Sequence, residues 1–173
     1  MASASSLATR AAGRSIFPTE NPKPPERERD SPAELKARAL RYLARREHSR
    51  DELARKLAPH AESPELLESL LRELESKKQL SNERFAEIRS HSLARKYGAA
   101  KIREDLRQKG VSAELALRVT TEGELERARA ILKRKYHAQA MTREERAKRA
   151  RFLQSRGFSY DTIYQAVRIE DDE

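Results

Sequence analysis

From about residue 33 onward, the apolar residues recur at i, i+3 and i+4 in short runs, and most of the runs open on Ser or Thr. That spacing lines one face of a helix with a 3.6-residue period and does not suit a strand, whose faces alternate with a period of two. The spacing predicts nine short helices. The first starts at Ser31-Pro32-Ala33-Glu34, with a Ser cap, Pro at the first helical position and Glu two residues later, and carries Leu35, Ala39, Tyr42 and Leu43. The second opens on the capping box Ser49-Arg50-Asp51-Glu52 and buries Leu53 and Leu57; the third opens on Ser63-Pro64 and carries Leu66, Leu67, Leu70, Leu71 and Leu74.

The fourth helix is expected from Ser81, with Phe85, Ile88 and Leu93 inward. The fifth is expected over 99–109 with Ile102 and Leu106 inward, ending on Gly110 in the left-handed conformation. The sixth starts at Ser112 and buries Leu115 and Val119. The seventh carries Leu125, Ala128, Ile131 and Leu132. The eighth runs from the capping box Thr142-Arg143-Glu144-Glu145 to Gly157 and buries Ala150 and Leu153; the ninth starts at Ser159 and carries Ile163, Ala166 and Val167. Tyr136-His137-Ala138-Gln139-Ala140-Met141 reads as a loop, and Glu170-Asp171-Asp172-Glu173 as a fraying end.

Composition explains why so many small helices are needed. Of the 173 residues, 38% are charged and 37% hydrophobic, and there is no Trp, so each helix has only a narrow apolar stripe. Five of the seven prolines lie between Pro18 and Pro32, followed or interleaved by alternating charges, and this predicts a disordered tail over 1–33. The acid-free start with Arg10 and Arg14 lacks a strong apolar face and reads as part of that leader, not as a transit peptide. No apolar run approaches the ~18 residues of a membrane span.

Three internal matches group the helices in threes. Leu106-Arg107-Gln108-Lys109-Gly110-Val111-Ser112 matches Leu153-Gln154-Ser155-Arg156-Gly157-Phe158-Ser159 in helix end, Gly stop, apolar plug and Ser cap. Leu43-Ala44-Arg45-Arg46 matches Leu93-Ala94-Arg95-Lys96, and Arg95-Lys96-Tyr97 matches Arg134-Lys135-Tyr136. The expected organisation is three tandem three-helix, helix-turn-helix-like repeats over 34–80, 81–122 and 123–169, each with its own small core, in an elongated, curved array.

Catalytic chemistry finds little support in these residues. Cys is absent, the glycines are too far apart for a phosphate loop, and His48, His60, His91 and His137 have no metal-ligand spacing. The carboxylates sit among Lys and Arg as helical charge pairs. No enzyme activity, cofactor or metal is expected.

The formal net charge of +9 is spread over all three repeats, a distribution that suits a polyanion. The candidate contacts are Arg45, Arg46, Arg50, Arg55 and Lys56 in the first repeat; Arg95, Lys96, Lys101, Arg103, Arg107 and Lys109 in the second; and Arg149, Arg151 and Arg156 in the third. Arg103 and Arg107, at i and i+4, share a face that could follow a phosphate chain. Each also reads as solvated helix surface offset by acids such as Glu104 and Asp105. Tyr97 and Tyr136 could stack on bases, or plug a helix end.

Three stretches resemble the RecX family. They are Tyr42-Leu43-Ala44-Arg45-Arg46-Glu47-His48-Ser49-Arg50-Asp51-Glu52-Leu53-Ala54-Arg55-Lys56-Leu57; Leu80-Ser81-Asn82-Glu83-Arg84-Phe85-Ala86 with Lys96-Tyr97-Gly98 and residues 102–111; and Arg151-Phe152-Leu153-Gln154-Ser155-Arg156-Gly157-Phe158-Ser159. The resemblance spans about residues 35–168 in the family's order. It implies a non-enzymatic cytoplasmic regulator of RecA recombinase in DNA repair, homologous recombination and the SOS response. Such a regulator binds along the groove of the RecA filament on single-stranded DNA and lowers its ATPase, strand-exchange and co-protease activities. A monomer is expected, contacting single-stranded or duplex DNA and no membrane. The competing readings are a helix-turn-helix transcription factor on duplex DNA, for which no dimerisation helix is recognisable, and a protein-binding scaffold without nucleic acid.

Overall fold

The computed structural model describes residues 29–136 and 142–168, so the expectations for residues 1–28, for the loop beyond Tyr136 and for Glu170–Glu173 lie outside the described residues. Within them the chain is all-helical, with no strand. The helices are α1 (Pro32–Arg45), α2 (Arg50–Leu57), α3 (Pro64–Ser76), α4 (Asn82–Ala94), α5 (Ala99–Gln108), α6 (Ala113–Leu117), α7 (Glu124–Lys135), α8 (Arg143–Ser155) and α9 (Tyr160–Arg168).

Most of the helix starts are capped as the sequence predicts. The hydroxyls of Ser31, Ser49, Ser63, Ser81, Ser112 and Thr142 each accept from the backbone N–H three residues on, which satisfies one of the orphan donors of a first turn. Ser31 and Glu34 form the full reciprocal box. At Ser49 the carboxylate of Glu52 turns instead to Arg46, at 2.5 and 3.0 Å, because a guanidinium fork outcompetes one neutral N–H. Residues 29–32 belong to the folded part. Arg38 forks onto Asp30 at 2.6 and 2.9 Å, and the Asp30 N–H donates to the His60 carbonyl at 2.8 Å.

The helices pack in threes around three separate cores. The first, under α1–α3, is built from Leu35, Ala39, Leu53, Leu57, Leu71 and Leu74, and the second, under α4–α6, from Phe85, Ile102, Leu106 and Ala116. The third, under α7–α9, centres on Ala128, Leu132, Leu153 and Phe158. Two expectations in the second core are corrected. Ile88 is 57% exposed. On α4 it lies about 120° from the mean direction of Phe85, Ala86 and Leu93, so small Ala86 takes the inward place. In α6, Ala116 is the fully buried residue, while Leu115 and Val119 are half-buried at the edge, Val119 beyond the end of this short helix.

Two equivalent joints connect the repeats. At the first, the Ser49 hydroxyl donates to the Lys109 carbonyl at 2.5 Å, and the Arg50 N–H donates to Asn82 Oδ1 at 2.9 Å. At the second, the N–H of Gly98 donates to the Arg156 carbonyl at 2.9 Å and that of Ala100 to the Gly157 carbonyl at 3.2 Å. The N–H of Ala99 donates to Glu124 Oε1 at 2.8 Å. In both, the Gly turn before the last helix of one repeat seats on the N-terminus of the middle helix of the preceding repeat. In both, the first residue of a leading helix (Asn82, Glu124) accepts from the first N–H of that middle helix. The match between Gly110-Val111-Ser112 and Gly157-Phe158-Ser159 is therefore a match of docking turns. The second joint is close enough to demand glycine on both sides. A Cβ on Gly98 would lie 2.3 Å from the Gly157 carbonyl oxygen, and one on Gly157, at φ +77°, 2.6 Å from the Lys101 nitrogen.

Candidate functional site

The fourteen candidate cations separate by what the fold already asks of them. Arg46 is committed to Glu52, and Arg50 to Glu68 at 2.6 Å and Glu75 at 3.2 Å, tying α2 to α3. The guanidinium of Arg103 donates twice to the Val119 carbonyl, at 3.0 and 2.6 Å, and so staples the end of α6 to α5. Arg107 pairs with Glu104 at 2.6 Å. Arg103 and Arg107 thus share a helix face with partners already in place. Lys56 lies over the Tyr42 ring at 5.2 Å. Arg149 turns inward: it is 3% exposed and lies over Tyr136 at 5.1 Å. Arg156 sits in the second joint, donating to the Lys96 carbonyl at 2.9 Å and covering the rings of Phe152 at 4.5 Å and Tyr97 at 5.8 Å.

Most of the remaining candidates face solvent. Arg45, Arg95, Lys96, Lys101 and Arg151 are exposed, and their cationic heads form no ion pair with the described residues. Arg55 is also exposed, with Nε donating to the Asp51 carbonyl at 3.2 Å. Lys109 is half-buried beside the first joint; its charge acts on Glu52 and Asp105, after the stronger hydrogen bonds from Arg46 and Arg89 that hold those two carboxyls below their ordinary range.

A pattern emerges at the C-termini of the leading helices. Arg45 ends α1, Arg95 caps α4 and Arg134 stands in the last turn of α7. All three are exposed and free of ion pairs among the described residues. A cation there complements the negative pole of the helix. Free of a carboxylate partner, it also remains able to meet an external anion. Arg134 is absent from the candidate set drawn from sequence, although the match of Arg95-Lys96-Tyr97 to Arg134-Lys135-Tyr136 pointed to it. Its neighbour Lys135 is occupied, 3.8 Å over the Phe152 ring.

Two deeply buried titratable residues, His48 and Glu124, serve structure. Burial pushes the imidazole of His48 to a lower pKa, against the opposing bond of its Nδ1 to the Arg46 carbonyl at 2.9 Å. Glu124 is 1% exposed. Burial alone would raise its pKa, but bonds from the Ala99 N–H, from Ser159 and from the Thr162 hydroxyl together hold it below the usual carboxylate value. Glu124 is a joint residue, and periodicity missed it because it lies at a helix start and carries a charge. Among the described residues, no group of His, Asp and Glu could hold a metal ion, and no helix is long and apolar enough to cross a membrane. Shallow grooves flank α6, one of about 390 Å³ floored by Ala86, Leu115 and Val119 and rimmed by Glu83, Glu87 and Arg118.

Comparison with known proteins agrees with this architecture. The three RecX three-helix domains match in series, the first at residues 36–74, the second at 81–118 and the third at 122–167. The chain is 45% identical over 148 residues to the regulatory protein RecX of Herbaspirillum seropedicae, covering 82% of this chain and 96% of that one. It is 46% identical over 145 residues to that of Leptothrix cholodnii, covering 80% and 90%. The crystal structure of RecX from Lactobacillus salivarius superposes with a TM-score of 0.70 at 21% identity, over 81% of this chain and 96% of that one, and so shares the fold. Three RecX domains in series, on three cores joined in the same way twice, establish that the chain belongs to the RecX family of regulatory proteins.

Proposed function

We propose that this protein regulates RecA recombinase without catalysis of its own. The three repeats lie along the groove of the RecA filament on single-stranded DNA and lower its ATPase, strand-exchange and co-protease activities. One monomer in the cytoplasm bridges successive RecA protomers and the DNA. The observation that carries this reading is the recurrence of an exposed guanidinium without an ion pair at the C-terminal end of each repeat's leading helix, Arg45, Arg95 and Arg134. Charges repeated along a protein array suit a target that is itself repetitive and anionic. Lys96, Lys101 and Arg151 add to the same exposed set.

The strength of the DNA part is read from salt. If roughly six phosphates are neutralised, the logarithm of affinity for single strands falls against the logarithm of salt with a slope of about −4. Replacing Arg45, Arg95 and Arg134 together by Ala reduces the slope by about 2. A flat salt response of the wild-type protein contradicts direct DNA contact and leaves RecA alone as the target.

A further inference from the structure

We infer that the outward face of α9 is a base-stacking platform for single-stranded nucleic acid, formed by Tyr160 and Tyr164 and bordered by Arg168. This inference rests on the proposed contact with single strands and names where their bases go.

The five tyrosines divide sharply. Tyr42 is half-buried against His48, with ring centroids 6.0 Å apart. Tyr97 lies under Arg156, and Tyr136 meets the edge of Phe152 at 5.8 Å. Tyr97 and Tyr136, the two that the sequence offers for stacking, are thus packed within the protein. Tyr160 and Tyr164 are 81% and 52% exposed. They sit one helical turn apart, about 6 Å along the axis, on the side turned away from the buried Thr162 and Ala166. Arg168 continues the stripe a turn further, with its guanidinium 5.6 Å from the Tyr164 ring and Nη1 3.3 Å from the Tyr164 hydroxyl.

The surroundings indicate what covers these rings. Among the described residues, the other large exposed apolar side chains, Ile88 and Leu117, belong to the second repeat, and the exposed neighbours on α9 are Asp161, Gln165 and Arg168. The fully buried core of a protein–protein interface is more apolar than the surrounding surface. Two aromatic planes a turn apart, bordered by Asp161, Gln165 and Arg168, offer flat faces to flat partners, and Arg168 can meet the phosphate that links stacked bases. Asp161 and Arg168, seven residues apart, lie on the same side of the helix, so a phosphate is opposed at the Tyr160 end and met by Arg168 at the Tyr164 end.

The test uses the full chain and two fluorescein-labelled strands of equal length, an oligo-dT and a strand of abasic deoxyribose phosphate. The phosphates are common to both, so their difference isolates the bases. The wild-type protein should bind the dT strand about fivefold or more tightly than the abasic one, as expected for even a single stacked base. The double variant Tyr160→Ala/Tyr164→Ala should lose most of that preference with its melting temperature unchanged, and Tyr160→Phe/Tyr164→Phe should retain it. Because the chain has no Trp, stacking should also quench its tyrosine fluorescence on addition of dT and not of the abasic strand. Equal binding of both strands by the wild type, no binding of either, or a preference undiminished by the double Ala variant overturns the platform. Weakened co-sedimentation with RecA filaments, with the dT preference intact, reassigns the face to protein docking and equally overturns it. If the platform fails while the wild-type protein still inhibits RecA ATPase, the regulatory reading stands without it.

Discussion

The two joints between repeats have the same geometry and different chemistry. At the first, the acceptor from the following repeat is the neutral amide of Asn82, and the middle helix offers a serine side chain, Ser49, to the docking turn. At the second, the acceptor is the buried carboxylate of Glu124, and the middle helix offers bare backbone at Gly98. The comparison shows that the joint is defined by a backbone arrangement, a Gly turn seated on a helix N-terminus. The groups that satisfy the exposed N–H donors can be exchanged so long as none is left unpaired. It also divides the weaknesses: the second joint sets backbone against backbone, and its acceptor carries a charge.

Glycine replacement should break the comparison most strongly. At Gly157 an alanine combines a left-handed conformation with a clash against Lys101 backbone, and should cost about 3 kcal/mol. At Gly110 the conformational penalty is the same, but the obstruction is the Asp51 side chain, and about 1–2 kcal/mol is expected. Chemical denaturation of the two variants checks the order. A larger loss at Gly110 would mean that the first joint is the tighter.

Removing the acceptors should come next. Glu124→Ala leaves the Ala99 N–H and the Thr162 hydroxyl without their carboxylate, at a cost of about 2–3 kcal/mol. Asn82→Ala frees one N–H, that of Arg50, and should cost about 1 kcal/mol. Equal losses would show that the charge at the second joint adds nothing.

The smallest effect separates the joints by pH. The folded-state pKa of Glu124 is lowered, so its contribution is complete above the ordinary carboxylate range and is lost as pH falls through the folded value. Glu52, Glu68, Glu73 and Asp105 shift in the same direction, so the readout is a difference. The stability gap between wild type and Glu124→Gln should shrink as pH falls below the ordinary carboxylate range, whereas the gap for Asn82→Ala should not vary with pH. Parallel behaviour of both variants would remove Glu124 from the acid response.

These contrasts also mark what could be seen in sequence. Helix starts were legible because a Ser or Thr cap acts locally, and the three cores because Leu and Ala recur at helical spacing. Ile88 was misplaced because spacing pairs Phe85 as readily with Ile88, three residues on, as with Ala86 and Leu93, and the choice is made by α5 and α6. Arg149 and Glu124 escaped for the opposite reason: charge suggests a surface, but a guanidinium can lie over a ring, and a carboxylate can be buried where several donors converge. The free cations are harder still to read, since whether Arg107 or Lys101 is available depends on whether a carboxylate such as Glu104 happens to reach it.

The regulatory reading is tested most directly by DNA-dependent ATP hydrolysis of the cognate RecA on single-stranded DNA, titrated with this protein. The account predicts inhibition, complete near or below one molecule per RecA, and weakened when Arg45, Arg95 and Arg134 are replaced together. Inhibition far below that ratio would favour capping of filament growth, and inhibition only near it, occupancy of the groove. Unchanged hydrolysis, with no co-sedimentation with the filament, would contradict the account.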